Sequence, residues 1–250
     1  MSLVALAVSR ENLTSRVYAQ LRESLMAGRF WPGQRLRIRE MALAMGVSQT
    51  PVREAIMQLV REGGLEMRSS AAITVAKLSV ARYKQLREVR LLLEGLATEK
   101  ATPLLTAHDI ARLETLHAAL IKAEKNDDRD AATLTNFQFH FTIYRGSQSH
   151  DLVEILDGIW LRNGPLLKFL YPHAAPVYRG RHQHLVLLDA LRRRDAAAAK
   201  QAIQNDILEG GARLVDLMER IEAGTVRVVE NDDGEASLMF PPRRRKAASS

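Results

Sequence analysis

The spacing of apolar residues in the first 78 positions predicts three helices followed by a β-hairpin. The first helix begins near Thr14 or Ser15 and ends at Gly28, and the second covers about 38–45. The third begins at Ser48. Beyond its glycine end, apolar and polar residues alternate on both sides of a small-residue tip, which is typical of two short paired strands. Three helices and a hairpin in this order predict a winged helix-turn-helix.

The third helix combines an apolar stripe with a polar leading edge. Pro51 falls in its first turn, where a missing N–H costs nothing. The stripe consists of Val52, Ala55, Ile56, Leu59 and Val60. The polar edge consists of Ser48, Gln49, Thr50 and Arg53. A recognition helix presents such an edge to the major groove, where Arg reads guanine and Gln reads adenine. The alternative is an ordinary capped helix on the surface of a small bundle.

From residue 79 onward, strand patterns nearly vanish and helical patterns dominate. Abundant Leu and Ala and an aromatic content of 5% also favour helices. Helices are predicted over 80–101, 107–127, 129–147, 150–170 with a break near Gly164-Pro165, 176–194 and 196–222. We therefore predict a mainly α protein. Its expected parts are a winged helix-turn-helix domain in 1–78, an all-α helical bundle in 79–225 and a disordered basic tail in 226–250.

Charge is unevenly distributed along the 250 residues. The net charge is +7, and residues 1–78 hold 11 Lys or Arg against 6 Asp or Glu, whereas residues 79–242 hold 21 against 23. A basic front on a near-neutral body favours a polyanionic partner for the front. Cysteine is absent, and no apolar run approaches the ~20 residues that span a bilayer. We expect a cytoplasmic protein without a membrane partner.

Several polar residues lie on the apolar seams of the predicted helical bundle. Arg90 shares a stripe with apolar neighbours, and a buried guanidinium needs an acceptor. It either forms an internal salt bridge with Glu94 or binds the carboxylate of a ligand. Similar positions are held by Asn136, His140, His184 and Asp206. Taken singly, each of these is more typical of a satisfied core residue than of a ligand.

The remaining histidines show no such pattern. We interpret them as loop or surface residues; they are His108, His117, His150, His173 and His182.

The segment "GQRLRIREMALAMGVSQTPVREAIMQLVREGGL" resembles the N-terminal domain of the GntR family of bacterial transcription regulators. The resemblance implies DNA contacts by Arg39, Ser48, Thr50 and Arg53. Gln49 occupies the position usually held by Arg, which implies a lost or altered contact. The wing tip "SSAA" also departs from the family pattern, and Arg68 is the residue able to replace its usual basic contact.

The C-terminal part resembles the all-helical FCD effector domain of one GntR subfamily, through "REVRLLLEGLATEKA" and "HLVLLDALRRRDAAAAKQAI". Many such domains bind a divalent metal through an Asp-x-x-x-His pair and two further histidines. The corresponding positions here are Asn136, His140, His184 and Asp206. His140, His184 and Asp206 form a two-His-one-carboxylate set that suits Zn²⁺, Ni²⁺ or Mn²⁺. Alternatively the metal is lost, and Arg90 and Asn136 bind an organic acid directly.

These features predict a homodimeric transcription regulator, most simply a repressor, that binds a palindromic operator and responds to a small carboxylate effector. Two other functions stay open at this stage. One is a small metal-dependent hydrolase that uses His140, His184 and Asp206, although no His-Glu-x-x-His motif or nucleophile elbow is present. The other is a DNA-binding protein with a vestigial effector pocket. We expect no enzymatic activity.

Overall fold

The amino-terminal part of the chain folds as a winged helix-turn-helix. The computed structural model describes residues 8–69, 72–171, 173–230 and 236–240. The elements of this part are α1 (Val8–Met26), β1 (Arg35–Leu36), α2 (Ile38–Ala44), α3 (Gln49–Arg61), β2 (Leu65–Ser69) and β3 (Ala72–Val75). The three strands form an antiparallel sheet in the order β1-β3-β2. The predicted helices and hairpin are therefore present.

Strand β1 is the element of this part that the sequence did not reveal. It has two residues, Arg35 and Leu36, which pair with Thr74 and Ile73 of β3. A strand this short carries no periodic signal. It is placed by the preceding turn, where the N–H of Gly33 donates to the carbonyl oxygen of Val75 at 2.9 Å. Gly33 has φ +81°, a conformation that glycine adopts without strain.

The carboxyl-terminal part is a helical bundle. Its elements are α4 (Val80–Ala101), α5 (Ala107–Lys125), α6 (Arg129–Gly146), α7 (His150–Asn163), a 3-10 helix (Gly164–Phe169), α8 (Gln183–Arg192), α9 (Ala196–Asn205), a π-helical segment (Asp206–Gly210) and α10 (Ala212–Glu222). Side-chain caps fix several starts. Ser79 accepts from the N–H of Arg82, and Thr106 and Asp109 form a reciprocal capping box at α5.

Two of the predicted helices are shorter than expected. The helix predicted over 176–194 begins only at Gln183, because Pro176 and Gly180 keep the preceding segment irregular and His182 caps α8. The helix predicted over 196–222 is interrupted by the π-helical segment and by Gly211. A π-helical insertion of this kind is frequent at functional sites.

The predicted disorder of residues 226–250 is wrong for the part of that range that the structure describes. Strands β4 (Arg227–Glu230) and β5 (Ala236–Met239) pair in antiparallel fashion, with Val228 opposite Leu238. Val226 is buried and Leu238 packs on the core, so apolar contacts order this segment. The disorder signal came from the prolines and arginines that follow, and Arg243–Lys246 lie outside the described residues. No helix in the described ranges is both long and apolar enough to cross a membrane.

The two parts of the chain pack closely against each other where α1 ends on the 3-10 helix. A Cβ atom added to Gly164 would lie 2.3 Å from the carbonyl oxygen of Leu25 and 2.6 Å from Cα of Met26. Gly64, just beyond α3, makes a similar approach, because an added Cβ would lie 2.7 Å from Cγ of Leu161 in α7. Glycine at these positions allows the DNA-binding part and the helical bundle to share one core.

Replacing Gly164 by Ala tests this close approach. The added methyl meets backbone atoms that cannot move aside, so Gly164→Ala should lower the free energy of unfolding by about 1–3 kcal/mol. Gly158→Ala is the matched control, since no atom lies within 4 Å of its added Cβ, and it should stabilise α7 by about 0.5–1 kcal/mol. Urea unfolding of both variants measures the difference. Equal midpoints for Gly164→Ala and the wild type would contradict the contact.

Candidate functional site

Three predicted ligand residues meet inside the helical bundle and form what we call the inner cluster: His140, His184 and Asp206. Nε2 of His140 lies 3.4 Å from Oδ2 of Asp206, and Nε2 of His184 lies 3.9 Å from the same oxygen. All three side chains are buried. They come from three elements, α6, α8 and the π-helical segment. The structure thus brings together residues that the sequence separates by up to 66 positions.

The proton positions around His140 leave a lone pair facing Asp206. Tyr144 has one hydroxyl proton, which it donates to Oε2 of Glu94. Its oxygen, 3.1 Å from Nδ1 of His140, therefore accepts the proton that Nδ1 carries. In the neutral ring, Nε2 is then an acceptor that points toward a carboxylate oxygen. Two acceptors face each other here, and a cation between them would remove the conflict.

His184 supplies the second unpaired acceptor of the inner cluster. Its ring is 1% exposed and stacks on Phe139, with ring centroids 3.8 Å apart. Neither ring nitrogen has a hydrogen-bond partner among the described residues. Burial lowers the pKa of His184 and His140, so both rings are neutral at pH 7. A buried imidazole without a hydrogen-bond partner costs free energy unless a bound ligand satisfies it.

Asp206 is held in place from the side opposite the histidines. The hydroxyl of Tyr178 donates to Oδ1 of Asp206 at 2.7 Å, which leaves Oδ2 for the inner cluster. Burial raises the pKa of Asp206, while the nearby His140 acts in the opposite direction. Asp206 is the first residue of the π-helical segment. The tyrosine fixes the carboxylate in the way that outer hydrogen bonds orient metal ligands.

The inner cluster fits a divalent cation. Two ligands that each lie about 2.0–2.2 Å from a tetrahedral ion are about 3.4 Å apart, which matches the His140–Asp206 separation. The opposed acceptors and the unpaired His184 nitrogens favour the same conclusion. Imidazole and carboxylate together suit Zn²⁺, Ni²⁺ or Mn²⁺.

Arg90 adopts the salt-bridge alternative. Its Nε lies 2.6 Å from Oε1 of Glu94, and its guanidinium stands 5.0 Å from the ring of Trp160. Glu94 is fully buried and also accepts from Nε1 of Trp160 at 2.9 Å. Arg90 is therefore the counter-ion of a buried carboxylate.

Asn136 lies one turn before His140 on α6. The residue is half-buried, and its side chain forms no hydrogen bond with any residue that the structure describes. Its position one turn away is compatible with a ligand bound at the inner cluster. Its predicted effector role stays a prediction.

Two histidines that the sequence analysis assigned to loops or the surface lie beside His184. His117 on α5 is buried, which contradicts that assignment, and His182 is the half-buried residue before α8. Their ring centroids are 4.8 Å apart, and each lies within 5.5 Å of the His184 centroid. We call His117, His182 and His184 the outer cluster. The spacing of His117 from Leu113 and Leu120 on the apolar stripe of α5 was the signal that could have found it.

The predicted DNA-contacting side chains on α2 and at the start of α3 are exposed. Ser48 occupies the N-cap position of α3 with extended backbone angles, yet its side chain forms no cap hydrogen bond. Each of the following side chains is exposed and has no partner in the described part of the chain: Arg39, Ser48, Gln49, Thr50 and Arg53. The buried face of α3 carries Val52, Ala55, Ile56 and Leu59. The backbone of Arg68 lies in β2, and its side chain is outside the described residues, as are Ser70 and Ala71 of the wing tip.

A winged helix-turn-helix with a free recognition edge, joined to a bundle with a buried ligand cluster, defines the class of ligand-responsive transcription regulators. Comparison with known proteins agrees. Residues 13–75 match the family described as bacterial regulatory proteins, gntR family, and residues 85–209 match the FCD domain.

The chain is 31% identical over 194 residues to the HTH-type transcriptional regulator McbR of Escherichia coli K12, which covers 77% of this chain and 88% of McbR. It is 24% identical over 198 residues to the HTH-type transcriptional repressor RspR of the same strain, over 79% of this chain and 86% of RspR. The solved structure of E. coli McbR superposes with a TM-score of 0.75 at 30% identity, over 82% of this chain and 98% of McbR.

The chain belongs to the GntR family of bacterial transcriptional regulators, in the group that carries an FCD domain. It is thus a DNA-binding regulator rather than an enzyme, and the hydrolase alternative has no support.

Proposed function

We propose that the exposed edge of α3 enters the major groove of an operator and that occupancy of the inner cluster controls this binding. The observation that carries the DNA-binding assignment is the set of unpartnered side chains at the start of α3, with Ser48 released from capping. No acidic residue lies in the first turn of α3, so the positive end of the helix dipole faces phosphate unopposed. Gln49 and Arg53 read the bases. The contacts to the phosphate backbone of the DNA are made by Arg39, Ser48, Thr50 and Arg68.

Arg53→Ala tests the recognition edge. It should weaken binding to a duplex selected from a random pool by about 1–3 kcal/mol and reduce the preference over random duplex, because a base contact is lost. Arg61→Ala is the matched control, since Arg61 is an exposed arginine in the last turn of the same helix. Fluorescence anisotropy at fixed salt measures both affinities. Equal losses in the two variants would contradict the assignment.

We further propose that the protein acts as a symmetric homodimer in the cytoplasm. One recognition helix reads too few bases to be selective, and a two-fold dimer reads a palindrome. The exposed face of α4 fits a second copy: Val89, Leu92 and Leu96 lie at helical spacing, and Leu92 is 69% exposed. Ile155 of α7, a helix that packs against α4, is also an exposed apolar residue.

Sedimentation of the full chain tests the dimer. The mass measured for the wild type should be twice the 28.0 kDa of one chain. Leu92→Arg places a charge in the interface, so the measured mass of this variant should fall toward 28.0 kDa. Leu43→Arg is the control, because Leu43 is a highly exposed leucine on α2, away from α4. A Leu92→Arg variant that stays dimeric would contradict this interface.

The ligand of the inner cluster is proposed to be a divalent ion held by His140, His184 and Asp206. An ion bound by three protein groups supplies open positions for the carboxylate of a small organic acid. Asn136, one turn from His140, would offer its side-chain amide to the same acid. Arg90 is the counter-ion of Glu94 and holds its carboxylate in place, and so supports the site. The buried His184 ring has no hydrogen-bond partner in the described part of the chain, which favours a working ligand site over a vestigial pocket.

Titration with Mn²⁺ tests the inner cluster, because Mn²⁺ favours sites that include a carboxylate. Calorimetry should show about one Mn²⁺ per wild-type chain, since one set of three ligands that includes a carboxylate converges in the described part of the chain. Asp206→Asn should abolish this binding. His117→Ala, which removes an imidazole outside the inner cluster, should leave it unchanged. Unaltered binding by Asp206→Asn, or none by the wild type, would contradict the proposal.

A further inference from the structure

The outer cluster has the composition of a metal site in its own right. His117, His182 and His184 each offer a ring nitrogen, and these atoms lie within 4.8 Å of one another. Nδ1 of His117 is buried without a hydrogen-bond partner among the described residues, as are both ring nitrogens of His184. The three rings come from two elements, α5 and the start of α8. The packing of the apolar core does not explain why three imidazoles converge here.

We propose that the outer cluster is a second metal site, made of imidazole nitrogens alone, which takes Cu²⁺. Imidazole suits Cu²⁺, whereas oxygen ligands suit Mn²⁺. The outer cluster contains no carboxylate, in contrast to the inner cluster with Asp206. Ions that prefer nitrogen ligands therefore bind the outer cluster, and ions that prefer oxygen ligands bind the inner cluster.

His184 belongs to both clusters, and this makes the two sites alternatives. A neutral imidazole carries a lone pair on one nitrogen and a proton on the other. His184 can therefore ligate an ion in one cluster at a time. The protein holds one ion per chain in either site, and the identity of the ion decides which site is occupied. The choice between the two sites rests on the proposed inner site, whereas the outer site itself does not.

In the free protein, His182 accepts a hydrogen bond that a bound ion must displace. Nδ1 of His182 accepts the backbone N–H of His184 at 3.1 Å, so the neutral ring carries its proton on Nε2. An ion that binds His182 takes the Nδ1 lone pair in place of this hydrogen bond. His182 is half-buried, whereas all three residues of the inner cluster are buried, so the outer site is the one that lies nearer to solvent.

Copper binding to variants that lack the inner carboxylate tests the proposal. Asp206→Asn changes little in volume and leaves the outer cluster intact, so it should still bind about one Cu²⁺ per chain because three imidazoles remain. Its electron paramagnetic resonance spectrum should show coupling to three nitrogens. Adding His117→Ala removes a direct ligand and should weaken Cu²⁺ binding by more than the roughly 10–100-fold that changes outside the ligand shell cause.

The control is His150→Ala in the same Asp206→Asn background, because His150 is an exposed histidine remote in sequence from the cluster. It should leave Cu²⁺ binding unchanged. Loss of Cu²⁺ in Asp206→Asn alone, or retention after adding His117→Ala, would overturn the proposal. If a variant fails to fold by circular dichroism, His140→Ala replaces Asp206→Asn and His182→Ala replaces His117→Ala, with the same outcomes. Failure of Mn²⁺ binding by the wild type would refute the inner site and leave this result standing.

Discussion

The burial of Glu94 is the constraint around which the helical domain is organised. A fully buried carboxylate is tolerated only when it is paired and hydrogen-bonded, and breaking such a pair costs about 3–5 kcal/mol. Glu94 on α4 is matched by Arg90 on the same helix, by Tyr144 on α6 and by Trp160 on α7. One side chain therefore ties three helices together. Through Tyr144 it also sets the proton on His140, and so determines that Nε2 faces Asp206 as an acceptor.

Helix α7 links this centre to the DNA-binding part. The Trp160 ring lies 5.5 Å from the His140 ring, and the next residue, Leu161, packs against Gly64 just beyond α3. Arg22 of α1 bridges Glu62 at the end of α3 and Asp157 of α7, at 3.5 and 3.4 Å. A ligand that shifts α6 or α7 thus moves groups that touch the base of the recognition helix. A coupling of about 1–3 kcal/mol would change operator occupancy 5–150-fold.

The fold was predictable from the sequence because its determinants are local. The stripe of α3, its Pro51 and the periodic helices after residue 79 all carry their signal within one element. The two-residue strand β1 and the hairpin β4–β5 escaped, since pairing with a distant partner or packing on the core creates them. The helix interruption that begins at Asp206 was missed, although Gly210 and Gly211 at its end are poor helix formers and signal a break.

The candidate site was predictable only in part. Resemblance pointed to His140, His184 and Asp206, and the structure brings these three together. It did not point to His117 or His182, which meet His184 through tertiary packing of α5 on α8. Nor did it reveal that Tyr178 holds Asp206, a contact made by a segment without regular structure. Contacts between elements distant in the chain leave no periodic pattern to read.

Operator affinity measured with and without Mn²⁺ tests most directly whether the inner cluster and α3 form one system. At fixed salt, saturating Mn²⁺ should change the Kd of the wild type for its selected operator by about 5–150-fold, and should leave the Kd of Asp206→Asn unchanged. The same Kd for the wild type with its inner cluster occupied and empty would contradict the account.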